Sequence, residues 1–104
     1  MTEGRSRRRA PRELAHALRR VRRQAAPPTT LAAVQECWSA AVGAAVAREA
    51  EPVSERDGLV TVHCRSAVWA AELTMLAEGL LERLNRELAE GRQVHALRFI
   101  ARPQ

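Results

Sequence analysis

The 104-residue chain has no lysine and no tyrosine, and its only aromatic residues are one phenylalanine and two tryptophans. Alanine supplies much of the 46% hydrophobic content, so a core must rest on a few Leu, Val, Ile and Trp positions. The length suits one small domain plus a tail, and a domain of that size folds alone with a thin margin. No stretch approaches the roughly 20 apolar residues of a membrane helix. No apolar segment follows the basic start, as a signal peptide would require, so a cytoplasmic protein is expected. Cys37 and Cys64 stand far apart, outside any CxxC pattern. They read as buried free thiols rather than a disulfide in a reducing compartment. His16, His63 and His95 are scattered, so no metal site is expected.

The motifs of common enzymes are missing too. There is no GxxxxGK[ST], GxGxxG, HExxH or GxSxG. His63 and Cys64 are neighbours in a strand-like run, so their side chains point to opposite faces and form no dyad. The expectation is no catalytic residue, no cofactor and no small-molecule substrate: a binding or interaction module rather than an enzyme.

What the chain does have is arginine, unevenly spread. Residues 1–30 hold Arg5, Arg7, Arg8, Arg9, Arg12, Arg19, Arg20, Arg22 and Arg23 against Glu3 and Glu13, a net charge of +7. Residues 31–104 hold eight arginines against ten acids, a net of −2. The asymmetry points to a polyanion partner. Residues 1–28 read as a basic tail, partly disordered, with a short basic helix at about 12–25 on the stripe Leu14, Leu18 and Val21. Pro27-Pro28 ends it.

Residues 29–101 read as one domain. Thr29 or Thr30 caps a helix with the stripe Leu31, Val34, Trp38, Val42 and Ala45, ending by about residue 49 before Pro52. Gly43 inside it is either a tolerated blemish or a point of close approach. Asp57-Gly58 signals a hairpin between a strand starting at Val53 and "LVTVHC". In the second strand Val60, Val62 and Cys64 should face the core, while Leu59, Thr61 and His63 face outward. Ser66 caps a long helix with the stripe Trp69, Leu73, Leu76, Leu80 and Leu84, stopped by Gly91. "VHALRFI" (94–100) is a last strand, with Leu97 and Phe99 inward and Val94, Ala96, Arg98 and Ile100 on the other face. The α-β-β-α-β order predicts a small two-layer α+β domain. Trp69 reads as a core anchor near Trp38, and Trp69→Ala is expected to cost about 3–5 kcal/mol.

The stretches "ECWSAAVGAAVAREAEP" (36–52), "GLVTVHCRSAVWAAEL" (58–73), "LLERLN" (80–85) and "VHALRF" (94–99) together resemble the DciA family. The matching positions are Trp38, Val42-Gly43, Pro52, Gly58-Leu59, Ser66, Trp69, Glu72-Leu73, Leu84-Asn85 and Arg98-Phe99. The resemblance implies a K-homology-like domain in a bacterial DNA-replication protein. Such a protein binds the replicative helicase (DnaB type) and promotes its loading onto DNA, which places it with the nucleoid. The GxxG loop by which K-homology domains clamp nucleotides is absent. The family also often places the domain before its basic tail, whereas here the basic segment comes first.

The nine arginines of residues 5–23 are the expected contacts to the phosphate backbone of single-stranded or forked DNA. No aromatic interleaves them, so base stacking is not expected. Two other readings stay open on the residues: an RNA-binding module, and a protein-interaction domain without nucleic-acid affinity.

Overall fold

A computed structural model describes residues 29–103. The elements run α1 (Thr30–Val42), α2 (Ala44–Glu49), β1 (Ala50–Arg56), β2 (Leu59–Cys64), α3 (Ala67–Met75), α4 (Ala77–Glu87) and β3 (Ala96–Ala101). The basic helix expected at 12–25 lies outside the described residues.

The strands form one sheet in the order β1-β2-β3. β1 pairs antiparallel with β2 through the two-residue Asp57-Gly58 turn. Both turn residues have positive φ, 51° and 86°, as the tight hairpin turn matched to strand twist requires. Gly58 is doubly constrained, because a Cβ there would run into the His95 ring. Its carbonyl also accepts from the backbone N–H groups of His95 (2.8 Å) and Ala96 (3.3 Å), which starts β3 alongside β2. β2 and β3 run parallel, with Val62 opposite Phe99. A parallel pair needs a crossover, and α3 and α4 supply it.

The helices cover one face, making the two-layer α+β domain that the element order predicted. Val60, Val62 and Cys64 are fully buried and Phe99 nearly so, packed with Val34, Cys37 and Trp38 of α1 and with Leu73, Leu80 and Leu84 of α3 and α4. Thr29 caps α1, its side chain accepting from Ala32 N at 3.0 Å. Ser66 caps α3, accepting from Trp69 N at 3.2 Å.

The structure corrects four expectations. The first helix is not continuous to residue 49. It breaks at Gly43, which adopts φ 94° and ψ 153°, a region open almost only to glycine. No atom lies within 4 Å of a Cβ there, so backbone conformation rather than close approach accounts for this glycine.

The second helix breaks as well. Leu76 leaves the helical region (φ −102°, ψ 7°), and its N–H donates to the Leu73 and Thr74 carbonyls. A continuous helix of some 20 residues would run about 30 Å, overshooting six-residue strands of about 20 Å. The buried stripe therefore passes through half-buried Ala77, not Leu76, which stays 57% exposed. The helix also ends at Glu87, and Gly91 lies in the following loop.

β1 starts at Ala50 rather than Val53, so Pro52 sits within it. β1 is an edge strand, where proline's missing N–H is tolerated, and the register shifts between Pro52 and Ser54. β3 starts at Ala96, and Val94 does not share a face with Ala96 and Arg98. It precedes the strand and is buried. Asn85 holds it there, with Nδ2 donating to Val94 O and Oδ1 accepting from Val94 N, both at 2.9 Å.

Candidate nucleic-acid and partner interfaces

The nine arginines expected to contact DNA, Arg5 through Arg23, lie outside the described residues. The positions that carried the family resemblance lie within them, and most do structural work. Trp38 is buried, and its Nε1 donates to the Ala50 carbonyl at 2.9 Å. Gln35 Nε2 donates to the Pro52 carbonyl at 3.1 Å. These two α1 side chains thus satisfy backbone acceptors at the start of the β1 edge, where an open row would invite another strand. Leu73 and Phe99 are in the core. Trp69 is half-buried and packs against the core from its margin, so Trp38 is the more deeply buried of the two rings. Glu72 is exposed on α3.

Both cysteines are free and buried. Burial pushes the Cys64 thiol above its ordinary value, which disfavours the reactive thiolate. Among the described residues no three His, Cys, Asp or Glu side chains gather as a metal site, and no helix is long and apolar enough to cross a membrane.

Two surface features remain. An open cleft of about 540 Å³ lies where α1, α2 and the β1 edge meet the ends of β2 and β3. Arg48, His63, Arg65 and Arg102 line it, with Glu49 and Glu51 between them. Arg65 reaches Glu49 at 3.9 Å and Arg102 reaches Glu51 at 3.2 Å. The second feature is apolar. Val68, Met75 and Leu76 on α3 and the α3–α4 junction are 71%, 81% and 57% exposed. Val68 stands at the start of α3 and Met75 and Leu76 at its end, and the helical period had assigned Leu76 to the core.

The described residues thus form a small α+β domain with an open cleft lined by arginine and glutamate side chains and with exposed apolar residues at the two ends of α3. The family model described as "Dna[CI] antecedent, DciA" matches residues 12–99, and the chain belongs to the DciA family. Its curated relatives are UPF0232 proteins. One from Streptomyces coelicolor is 36% identical over 66 residues, which is 62% of this chain and 35% of the relative. One from Rhodococcus jostii is 33% identical over 54 residues, 52% of this chain and 29% of the relative. One from Bifidobacterium longum is 34% identical over 58 residues, 56% of this chain and 37% of the relative. The chain thus spans about a third of the length of these relatives.

Proposed function

We propose that this chain is a non-enzymatic replication adaptor. It binds the replicative DNA helicase, of the DnaB type, and promotes its loading onto DNA. The family match over residues 12–99 carries the reading. The match begins within the arginine-rich segment, so residues 12–28 belong to the matched region. In this reading the arginines of residues 5–23 contact phosphate, and the folded part contacts the helicase. The net charge of +7 on residues 1–30 supports the first contact. The exposed apolar pair Met75 and Leu76 supports the second, since exposed apolar side chains that sit together mark protein contacts. The strand–helix–helix–strand unit from β2 to β3, with its strands paired parallel, supports the K-homology-like reading. Its helix–helix junction holds Met75, Leu76, Ala77 and Glu78 where a phosphate clamp would need glycines.

The test is co-purification of the full chain with the helicase, with and without DNase. Retention after DNase is the expected result, and Met75→Ser with Leu76→Ser should weaken it. Complete loss on DNase treatment would reduce the protein to a DNA binder. Competition between single-stranded DNA and RNA of equal length decides the nucleic acid.

A further inference from the structure

The sheet face turned away from the core carries residues that neither the fold nor the adaptor reading has used. On β2 these are Leu59, Thr61 and His63. The register places Arg56 and Ala96 on either side of Leu59, and Ser54 and Arg98 on either side of Thr61. Backbone hydrogen bonds from Arg65 N to Glu49 O (2.9 Å) and from Arg102 N to Cys64 O (2.7 Å) continue the pairing past the strand ends. Side chains alternate along a strand, so Arg65 follows His63 onto this face and Arg102 follows Ile100. Arg56, Arg65, Arg98 and Arg102 are all exposed.

Four arginines on one face is a concentration that the composition does not predict, because residues 31–104 carry a net charge of −2. The face has two acids, Glu49 and Glu51, both at the cleft end. Glu51 meets Arg102 in a pair exposed on both sides, and half-buried Glu49 meets exposed Arg65 at 3.9 Å, so each is a weak interaction that a phosphate oxygen can displace. Arg56 and Arg98 make no ion pair among the described residues. Arg98 and Arg102 stand about 13 Å apart along β3, and β1 and β3 about 10 Å apart across β2. The face therefore presents arginines on both sides of a shallow central strip. Among the described residues no Phe, Tyr or Trp lies on it and His63 is the one imidazole on β2, so it offers mainly charge to a backbone rather than a stacking platform to bases.

We infer that this open sheet face is a docking track for the phosphodiester backbone of single-stranded DNA, held by Arg56, Arg65, Arg98 and Arg102. The choice of DNA rests on the proposed function; the charge and spacing of the face stand without it. Arginine contacts of this kind fix position without reading sequence.

The test is the salt dependence of binding by the full chain to a single-stranded thymidine oligonucleotide. Each phosphate contact contributes roughly 0.7 to the slope of log K against log salt. Changing all four arginines to glutamine is expected to flatten the slope by about 2.8. Arg56→Gln with Arg98→Gln, which breaks no described ion pair, should flatten it by about 1.4 and serves if the fourfold variant does not fold. Arg83→Gln with Arg86→Gln, on exposed α4 positions, lowers net charge equally and should leave the slope in place. An unchanged slope in the Arg56/Arg98 variant overturns the proposal, and so does an equal loss in the Arg83/Arg86 variant. Replacing the nine arginines of residues 5–23 by glutamine tests the tail contact separately, so either assignment can fail alone.

Discussion

On β2, Val60, Val62 and Cys64 are fully buried beneath the helices, while Leu59, Thr61 and His63, one residue out of step, share the opposite face with arginines. The same three strands thus make a wall of the core and a charged surface. Apolar burial fixes the first face, where a lost methyl group is felt through close packing. Solvent relaxes the second, where side chains can change with little cost to the fold and the chemistry is free to serve a ligand. In so small a domain the division matters, because the core has few large side chains in reserve.

The sharpest way to break the comparison is to put the same charge on each face. Val62→Asp buries an unpaired carboxylate among the helices and should cost on the order of 4–5 kcal/mol, enough to unfold most of the population. His63→Asp, the next residue, should stay within about 0.5 kcal/mol. Urea unfolding followed by circular dichroism reads both. Equal losses would mean that the second face is covered in solution.

The two tryptophans give the next largest contrast. Trp38→Ala removes a buried ring and leaves the Ala50 carbonyl without its indole partner, so about 3–5 kcal/mol is expected. Trp69 packs from the margin, and Trp69→Ala should cost less, about 1–3 kcal/mol. That revises the 3–5 kcal/mol expected from sequence. The helical stripe identified a core-facing ring, but not that the ring sits only partly buried at the margin of the core.

Gly43→Ala comes third. The space is open, so the cost is conformational, about 1–3 kcal/mol for a side chain at φ 94° and ψ 153°. A cost near zero would show that α1 and α2 can join into one helix without harm.

These residues also show what the sequence made legible. Alternation in "LVTVHC" assigned both faces of β2 correctly, because a period of two follows directly from the pleat. The cap at Ser66 was readable and the first cap was narrowed to Thr29 or Thr30, since a side-chain oxygen meeting an orphan N–H is a local event. The breaks at Gly43 and Leu76 were not. A helical stripe carries on through a break when one apolar residue can stand in for another, as Leu76 does for Ala77. Asn85 was visible in the family pattern, yet its hold on Val94 joins two segments nine residues apart and leaves no periodic trace. The cleft and the arginine face were hidden for the same reason. Arg56, Arg65, Arg98 and Arg102 become neighbours only through the pairing of β1, β2 and β3, and parallel pairing across two helices has no local signature. Sequence reasoning instead found the arginines of residues 5–23, which are adjacent in the chain.

The smallest effect separates the faces by pH. Cys64 lies on the buried face, and burial raises its thiol above the ordinary value of 9.0. Below that value the thiol is neutral in both the folded and unfolded chains, so it adds no pH dependence. Above it the unfolded chain releases a proton that the folded chain retains. The unfolded state then binds fewer protons, and stability falls as pH rises. The slope contributed by one thiol cannot exceed about 1.4 kcal/mol per pH unit. Unfolding free energies measured on either side of pH 9.0 should therefore decline on the alkaline side. Cys64→Ala should shrink that decline while lowering stability at neutral pH through the cavity it leaves. His63 shares the strand but faces the other way, so His63→Ala should leave the alkaline decline intact. A decline that survives Cys64→Ala would place its source elsewhere and remove pH as a distinction between the faces.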